Sequence, residues 1–151
     1  MRFPNPRRAL RVGITGHRLN RLAPENRAGL AETLARTLRA IDGAARSRKE
    51  RLRSPGPPVR LLSPLAEGAD RIAAQAAPPG WALAVVLPMP RADYERDFLA
   101  AGEHDGPSLR EFRELLLRAG SVTELPAIGG QHASEGPERS LQYGLLGPFL
   151  V

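Results

Sequence analysis

Short apolar runs alternate with longer stretches whose apolar positions recur every three or four residues. Leu10 to Ile14 is the first run, interrupted by Arg11. Val59 to Leu62 is the second, and Trp81 to Leu87 the third and most hydrophobic. Val122 to Leu125 is a weaker fourth. Runs this short, with little polar alternation, read as strands of a sheet buried on both faces. Between the first two, Pro24 suits the opening turn of a helix, and Leu30, Leu34, Leu38, Ile41 and Ala45 line one helical face. Ser54 to Pro58 is a proline- and glycine-rich break. From Gly68 onward, Ala69, Ile72, Ala73 and Ala76 form a second stripe of small residues, which lets a helix sit close to a sheet; Pro78-Pro79-Gly80 ends it.

After the third run Pro88 and Pro90 stop the strand, and Arg91 to Phe98 reads as a short helix. Gly102 to Pro107 reads as a loop. Ser108 and Glu111 have the spacing of a capping box, ahead of a stripe of Leu109, Phe112, Leu115, Leu116 and Ala119 that Gly120 closes. Residues 126–140 are rich in glycine and serine and read as a mobile loop. Leu141 to Val151 begins as a helix that Gly144, Gly147 and Pro148 interrupt. Strand, helix, strand, helix in alternation predicts an α/β fold: a three-layer, Rossmann-like, mostly parallel sheet with helices on both faces. Residues 1–9 are a proline- and arginine-rich lead-in, and residues 10–151 form one domain.

Composition narrows the chemistry. There is no cysteine among the 151 residues, so neither disulfides nor thiolate metal sites are available. No apolar run approaches the roughly 20 residues that span a bilayer. The basic N-terminus has no apolar stretch behind it, so the expectation is a cytoplasmic protein without a membrane partner. The net charge of +6 invites a nucleic-acid reading. Lys49 is the single lysine, though, and the arginines accompany abundant alanine, proline and glycine, which points to genomic bias. The densest cluster, Arg46 to Arg53, reads first as a solvated helix end whose cations offset the C-terminal dipole. Few aromatics are present to stack bases.

Two strand-to-turn junctions carry the candidate site. Ser63-Pro64-Leu65-Ala66-Glu67-Gly68-Ala69-Asp70 leaves the second strand and opens a helix. Backbone amides at such a helix start bind phosphate, with Gly68 admitting close approach and Ser63 and Glu67 in reach of a ribose or base. The plainer alternative is a tight turn at Gly68 with Asp70 stabilising the helix end. Thr15-Gly16-His17-Arg18 leaves the first strand, and Arg18 offers a bidentate fork to phosphate oxygens. Catalytic chemistry has little to stand on. His104 and His132 fall in expected loops, Asp93, Glu95 and Asp97 read as a solvated surface, and no metal-ligand spacing or Walker-type loop occurs.

The motifs Val12-Gly13-Ile14-Thr15-Gly16-His17-Arg18, Leu62 to Arg71, and Ala84 to Pro90 followed by Asp93-Tyr94 and Asp97-Phe98 come in an order that resembles the SLOG superfamily. That group holds Rossmann-like domains related to the LONELY GUY phosphoribohydrolases and to the DNA-processing protein DprA. The resemblance covers roughly residues 10–120 and implies binding or sensing of a nucleotide or nucleotide-derived ligand. It sets Gly16, His17, Arg18, Ser63, Glu67, Gly68, Ala69 and Asp70 along the cleft. Two departures accompany it. Pro64 stands where a glycine is usual, which removes an amide donor. The glycine-rich turn that completes the phosphate site in relatives, and the hydrolases' catalytic glutamate, have no counterpart before Val151. The expectation is therefore a non-enzymatic binding domain, C-terminally incomplete, with no cofactor. The alternatives are single-stranded DNA binding and a structural module whose sheet is completed by a strand from a partner or, in a homo-oligomer, from a second copy.

Overall fold

A computed structural model describes residues 9–16, 23–53, 56–127 and 136–150, without the side chains of 136–139 and 149. Four strands, β1 (Leu10–Gly13), β2 (Val59–Ser63), β3 (Ala82–Leu87) and β4 (Ser121–Glu124), form one all-parallel sheet in the order β1-β2-β3-β4. The helices are α1 (Pro24–Leu52), α2 (Ala69–Ala76), α3 (Arg91–Glu95, continued by a 3-10 turn Arg96–Phe98), α4 (Pro107–Leu117), α5 (Gly136–Gly144) and α6 (Gly147–Leu150). The α/β, Rossmann-like expectation holds.

Register assigns the two sheet faces. Val12 pairs with Leu61, Leu61 with Leu83, and Val85 with Val122, so these share one face. On that face Val85 and Leu87 pack against Leu109, Phe112 and Leu115 of α4, Ala74 of α2 and the rings of Tyr94 and Phe98. Helix α1 lies beside α2, and α2 beside α4, as crossovers between successive neighbouring strands require. The opposite face carries Gly13, Leu62, Ala84 and Val86. There Val86 packs with Leu125 and with Leu146, and Leu150 lies against them, so the C-terminal helices form the third layer.

The aromatic centre is tightly knit. Tyr94 meets Phe98 edge-on at 4.9 Å and Phe112 at 5.7 Å between ring centroids, the arrangement that ring quadrupoles favour. Helix α1 follows its expected stripe, with Leu38 and Ala45 buried. Its C-terminal half is tied down by Asp42, which accepts hydrogen bonds from the Trp81 indole and from Arg46, while Arg46 also donates to Pro79 O at 2.7 Å.

Three expectations need correction. Ser108 and Glu111 form no capping box: Pro107 occupies the first turn of α4, Gly106 is the N-cap without a side-chain bond, and both polar side chains bond to other elements instead. Residues 136–140, expected as loop, are the first turns of α5, because the Gly136-Pro137 start suits a helix N-terminus. Glu95 and Asp97 are not simply solvated. Glu95 is bridged by Arg91 and Arg113, and Asp97 accepts a hydrogen bond from the Tyr143 hydroxyl of α5. The mobile loop expected before α5 falls largely on residues 128–135, outside the described residues.

Candidate functional site

The first two strands end side by side. The Ile14 N–H donates to Leu62 O at 3.0 Å, which extends the pairing past β1 to the brink of both turns. Beyond it Gly16 lies against α2: a Cβ built on Gly16 would stand 2.4 Å from the Cβ of Ala69. The turn after β1 and the helix start after β2 therefore touch, and glycine at 16 is what permits the contact. Gly13 is equally constrained, since a Cβ there would meet Leu150 O of α6 at 1.9 Å.

The turn after β2 is held from within. Ser63 is fully buried, and its hydroxyl accepts the Leu65 N–H at 3.0 Å. That bond supports Leu65 in the left-handed region at φ 57°, a conformation that costs a non-glycine residue about 1–2 kcal/mol. Leu65 is itself fully buried in the core, so packing offsets the strain. Gly68, the N-cap of α2, has φ 93° and ψ −127°, which excludes a β-carbon. Its cap makes no side-chain bond, so the first amides of α2 depend on other partners. Asp70, buried in the first turn, complements the positive end of the helix.

Glu67 is partly buried, and one of its carboxylate oxygens accepts a hydrogen bond from the Ser108 hydroxyl of α4. Ser63, Glu67, Gly68, Ala69 and Asp70 thus come together at the carboxyl end of β2, with Gly16 against them. His17 and Arg18 lie outside the described residues.

Arg71 organises this turn, and periodicity misses it. Its side chain is 3% exposed. It donates from Nε to Leu65 O at 3.0 Å, and from one terminal nitrogen to Ser108 O, Ser108 Oγ and Glu111. The guanidinium carbon also sits 4.5 Å from the centroid of the Phe98 ring. On a helical wheel Arg71 falls opposite the Ala69-Ala73-Ala76 stripe, a position that reads as solvent. It is buried because α2 is flanked by α1 on one side and α4 on the other. The only signal for it in the sequence is its place beside Asp70 in the quoted motif.

A second surface is electrostatic. Arg11 of β1 and Arg60 of β2 are direct register partners and share a sheet face; neither forms an ion pair among the described residues. Like charges set side by side across strands are destabilising. Nearby, Arg48 and Lys49 of α1 line a shallow hollow with Leu10 and Pro58 at the amino end of the same strands.

The four strands run in sequence order, so the two turns do not flank the reversal of strand order at which open sheets usually bind ligands. What brings them together is the Gly16–Ala69 contact. His104 is exposed in its loop, and His132 lies outside the described residues. Among the described residues no group of histidine and carboxylate side chains has the geometry to hold a metal, and no helix is long and apolar enough to cross a membrane. No protein-family model matches the chain, and no curated protein matches it.

Proposed function

We propose that this chain binds a nucleotide or nucleotide-derived ligand, without catalysing its turnover, where the turns after β1 and β2 meet, and that it is a divergent domain of SLOG type. The observation that carries the reading is the Gly16–Ala69 contact beside Gly68: two glycine-dependent turns abut at the carboxyl ends of neighbouring parallel strands, against a helix N-terminus. The amides of Gly68 and Ala69 and the guanidinium of Arg18 take the phosphate. Glu67 faces the sugar with the carboxylate oxygen that Ser108 does not use, and Ser63 shapes the turn from beneath. The test is calorimetric titration with AMP, ADP-ribose and NAD. One of them is expected to bind, and Arg18→Ala is expected to weaken it about tenfold to a hundredfold, the worth of a charge-assisted hydrogen bond. Absence of heat with all three, on a chain that melts cooperatively, removes the reading.

The Arg11–Arg60 pair, which has no ion-pair partner among the described residues, favours a second reading, single-stranded DNA binding along the basic end of the molecule. It predicts an affinity for oligonucleotides that falls steeply with salt. Replacing Arg11 and Arg60 by glutamine should lower the slope of log affinity against log salt by about one to two. A salt-independent interaction sinks it.

A further inference from the structure

We infer that Glu67 restricts the candidate site to nucleotides whose sugar hydroxyls are free, so that a nucleotide carrying a further phosphate on that sugar is rejected. This deepens, and rests on, the reading of the two turns as a nucleotide site.

A chain of polar contacts fixes the acid in place. Arg71 donates from Nη1 to Ser108 Oγ at 3.1 Å and to Glu111 at 2.8 Å. A serine hydroxyl has one proton to give. With a guanidinium donating to its oxygen, Ser108 directs that proton at Glu67 Oε1. One carboxylate oxygen of Glu67 is thereby committed, and its side chain is held on the α4 side of the turn. The other oxygen has no hydrogen-bond partner among the described residues and keeps its lone pairs for a donor.

Charge makes that oxygen selective. The Arg71 guanidinium is paired with Glu111 at 2.8 Å, and Glu67 enters no ion pair among the described residues. A sugar hydroxyl donates to such a carboxylate in a charge-assisted bond. A phosphate in the place of that hydroxyl meets it with charge of the same sign. The acid therefore attracts the unmodified sugar and repels the phosphorylated one, which is discrimination by a built-in repulsive element.

The turn keeps the two demands apart. Gly68 caps α2 without a side-chain bond, so the amides of Gly68 and Ala69 remain suited to one anion. Glu67 directly precedes them, and the Ser108 bond draws its carboxylate toward α4. A nucleotide whose 5′-phosphate sits on the amides brings its sugar to the neighbouring residue. One phosphate is accepted at the amides, and a second is refused at the acid.

The experiment is calorimetric titration of the intact chain with AMP, ADP-ribose and NAD, each beside its counterparts carrying a 2′- or a 3′-phosphate on the adenosine. The nucleotide that binds is expected to do so about a hundredfold or more tighter than at least one of those counterparts. Glu67→Gln keeps an acceptor for Ser108 and removes the charge, so it is expected to narrow that ratio to less than about tenfold. If that variant fails to fold, Glu67→Ala removes the charge and the Ser108 contact together and is expected to narrow the ratio as well. Counterparts that bind as tightly as the parent nucleotide overturn the inference while leaving the nucleotide site standing. A ratio that survives the loss of the Glu67 charge assigns the exclusion to another group and overturns it too. Absence of heat with every nucleotide, on a chain that melts cooperatively, removes the nucleotide reading itself and this inference with it, so binding of the unphosphorylated nucleotide tells the two failures apart.

Discussion

At the scale of single residues, the molecule relies on a few side chains that make bonds well away from their own helix or strand. Arg71 is the clearest. Its burial leaves it no access to water, so the Leu65, Ser108 and Glu111 bonds carry its solvation. Arg71→Ala is expected to destabilise the chain by about 2–4 kcal/mol, and Arg71→Lys to recover only part, because an ammonium cannot span the same fork. Urea denaturation reads both, and a loss below 1 kcal/mol for the alanine variant would show that the turn after β2 holds its shape unaided. Glu95 has a pH signature. The hydrogen bond from Arg113 leads, with that from Arg91 behind it, in holding its carboxyl below the ordinary carboxylate range against the opposing effect of burial. A carboxyl depressed in the folded state contributes stability above its unfolded value near 4.3, and that contribution is lost as pH falls through the folded value. Glu95→Gln should therefore cost stability at pH 7 and cost progressively less in acid. Equal penalties at both ends of a pH series of urea titrations would refute the linkage.

At the scale of elements, the ends and the outer layer are informative. Helix α1 closes on Arg53 in the left-handed conformation, φ 45° and ψ 40°, with its N–H bonded back to Glu50 O. Glycine adopts that conformation without the steric penalty of a β-carbon, so Arg53→Gly is expected to stabilise the chain by up to about 1 kcal/mol. A thermal melt with no rise would show that another contact of the arginine compensates. Helix α5 is anchored by polar bonds more than by apolar burial: the fully buried Gln142 amide donates to Pro88 O and Pro126 O, while Leu141 is 63% exposed. Gln142→Leu leaves the buried Pro88 carbonyl short of a donor, a cost of about 1–3 kcal/mol. Hydrogen exchange should then quicken in α5 before it does in β3; equal quickening everywhere would mean that α5 and the sheet open as one unit.

At the scale of the whole molecule, the sheet is covered by helices on both faces, and among the described residues β1 and β4 are its edge strands, with mostly exposed residues. The two ends differ in kind. The β1 end is basic, with Arg11 beside Arg60, and the β4 end combines apolar side chains with a shared ion pair.

How much of this was legible beforehand follows from where each signal lives. The four strands and the principal helices are written in local pattern, because a sheet covered on both faces asks for short continuous apolar runs and a helix laid on it for an apolar position about every 3.6 residues. The turn glycines were legible for the same reason: Gly68 answers to a backbone angle that its own position demands. The capping box failed because Ser108 and Glu111 had two possible sets of partners, and local spacing shows only one. Glu67, Arg71 and Gln75 lie 36 to 41 residues away in sequence and meet the pair only once α2 and α4 lie side by side. The buried arginine, the paired carboxylates and the Gly16–Ala69 contact share that character. The sequence by itself determined the α/β class, the element order and the residue types at each turn, since these follow from burial period and backbone freedom. The tertiary structure alone decided which strands are edges, which charges are neutralised and which turns touch, because each of those depends on the distance between groups that the chain keeps far apart until it folds.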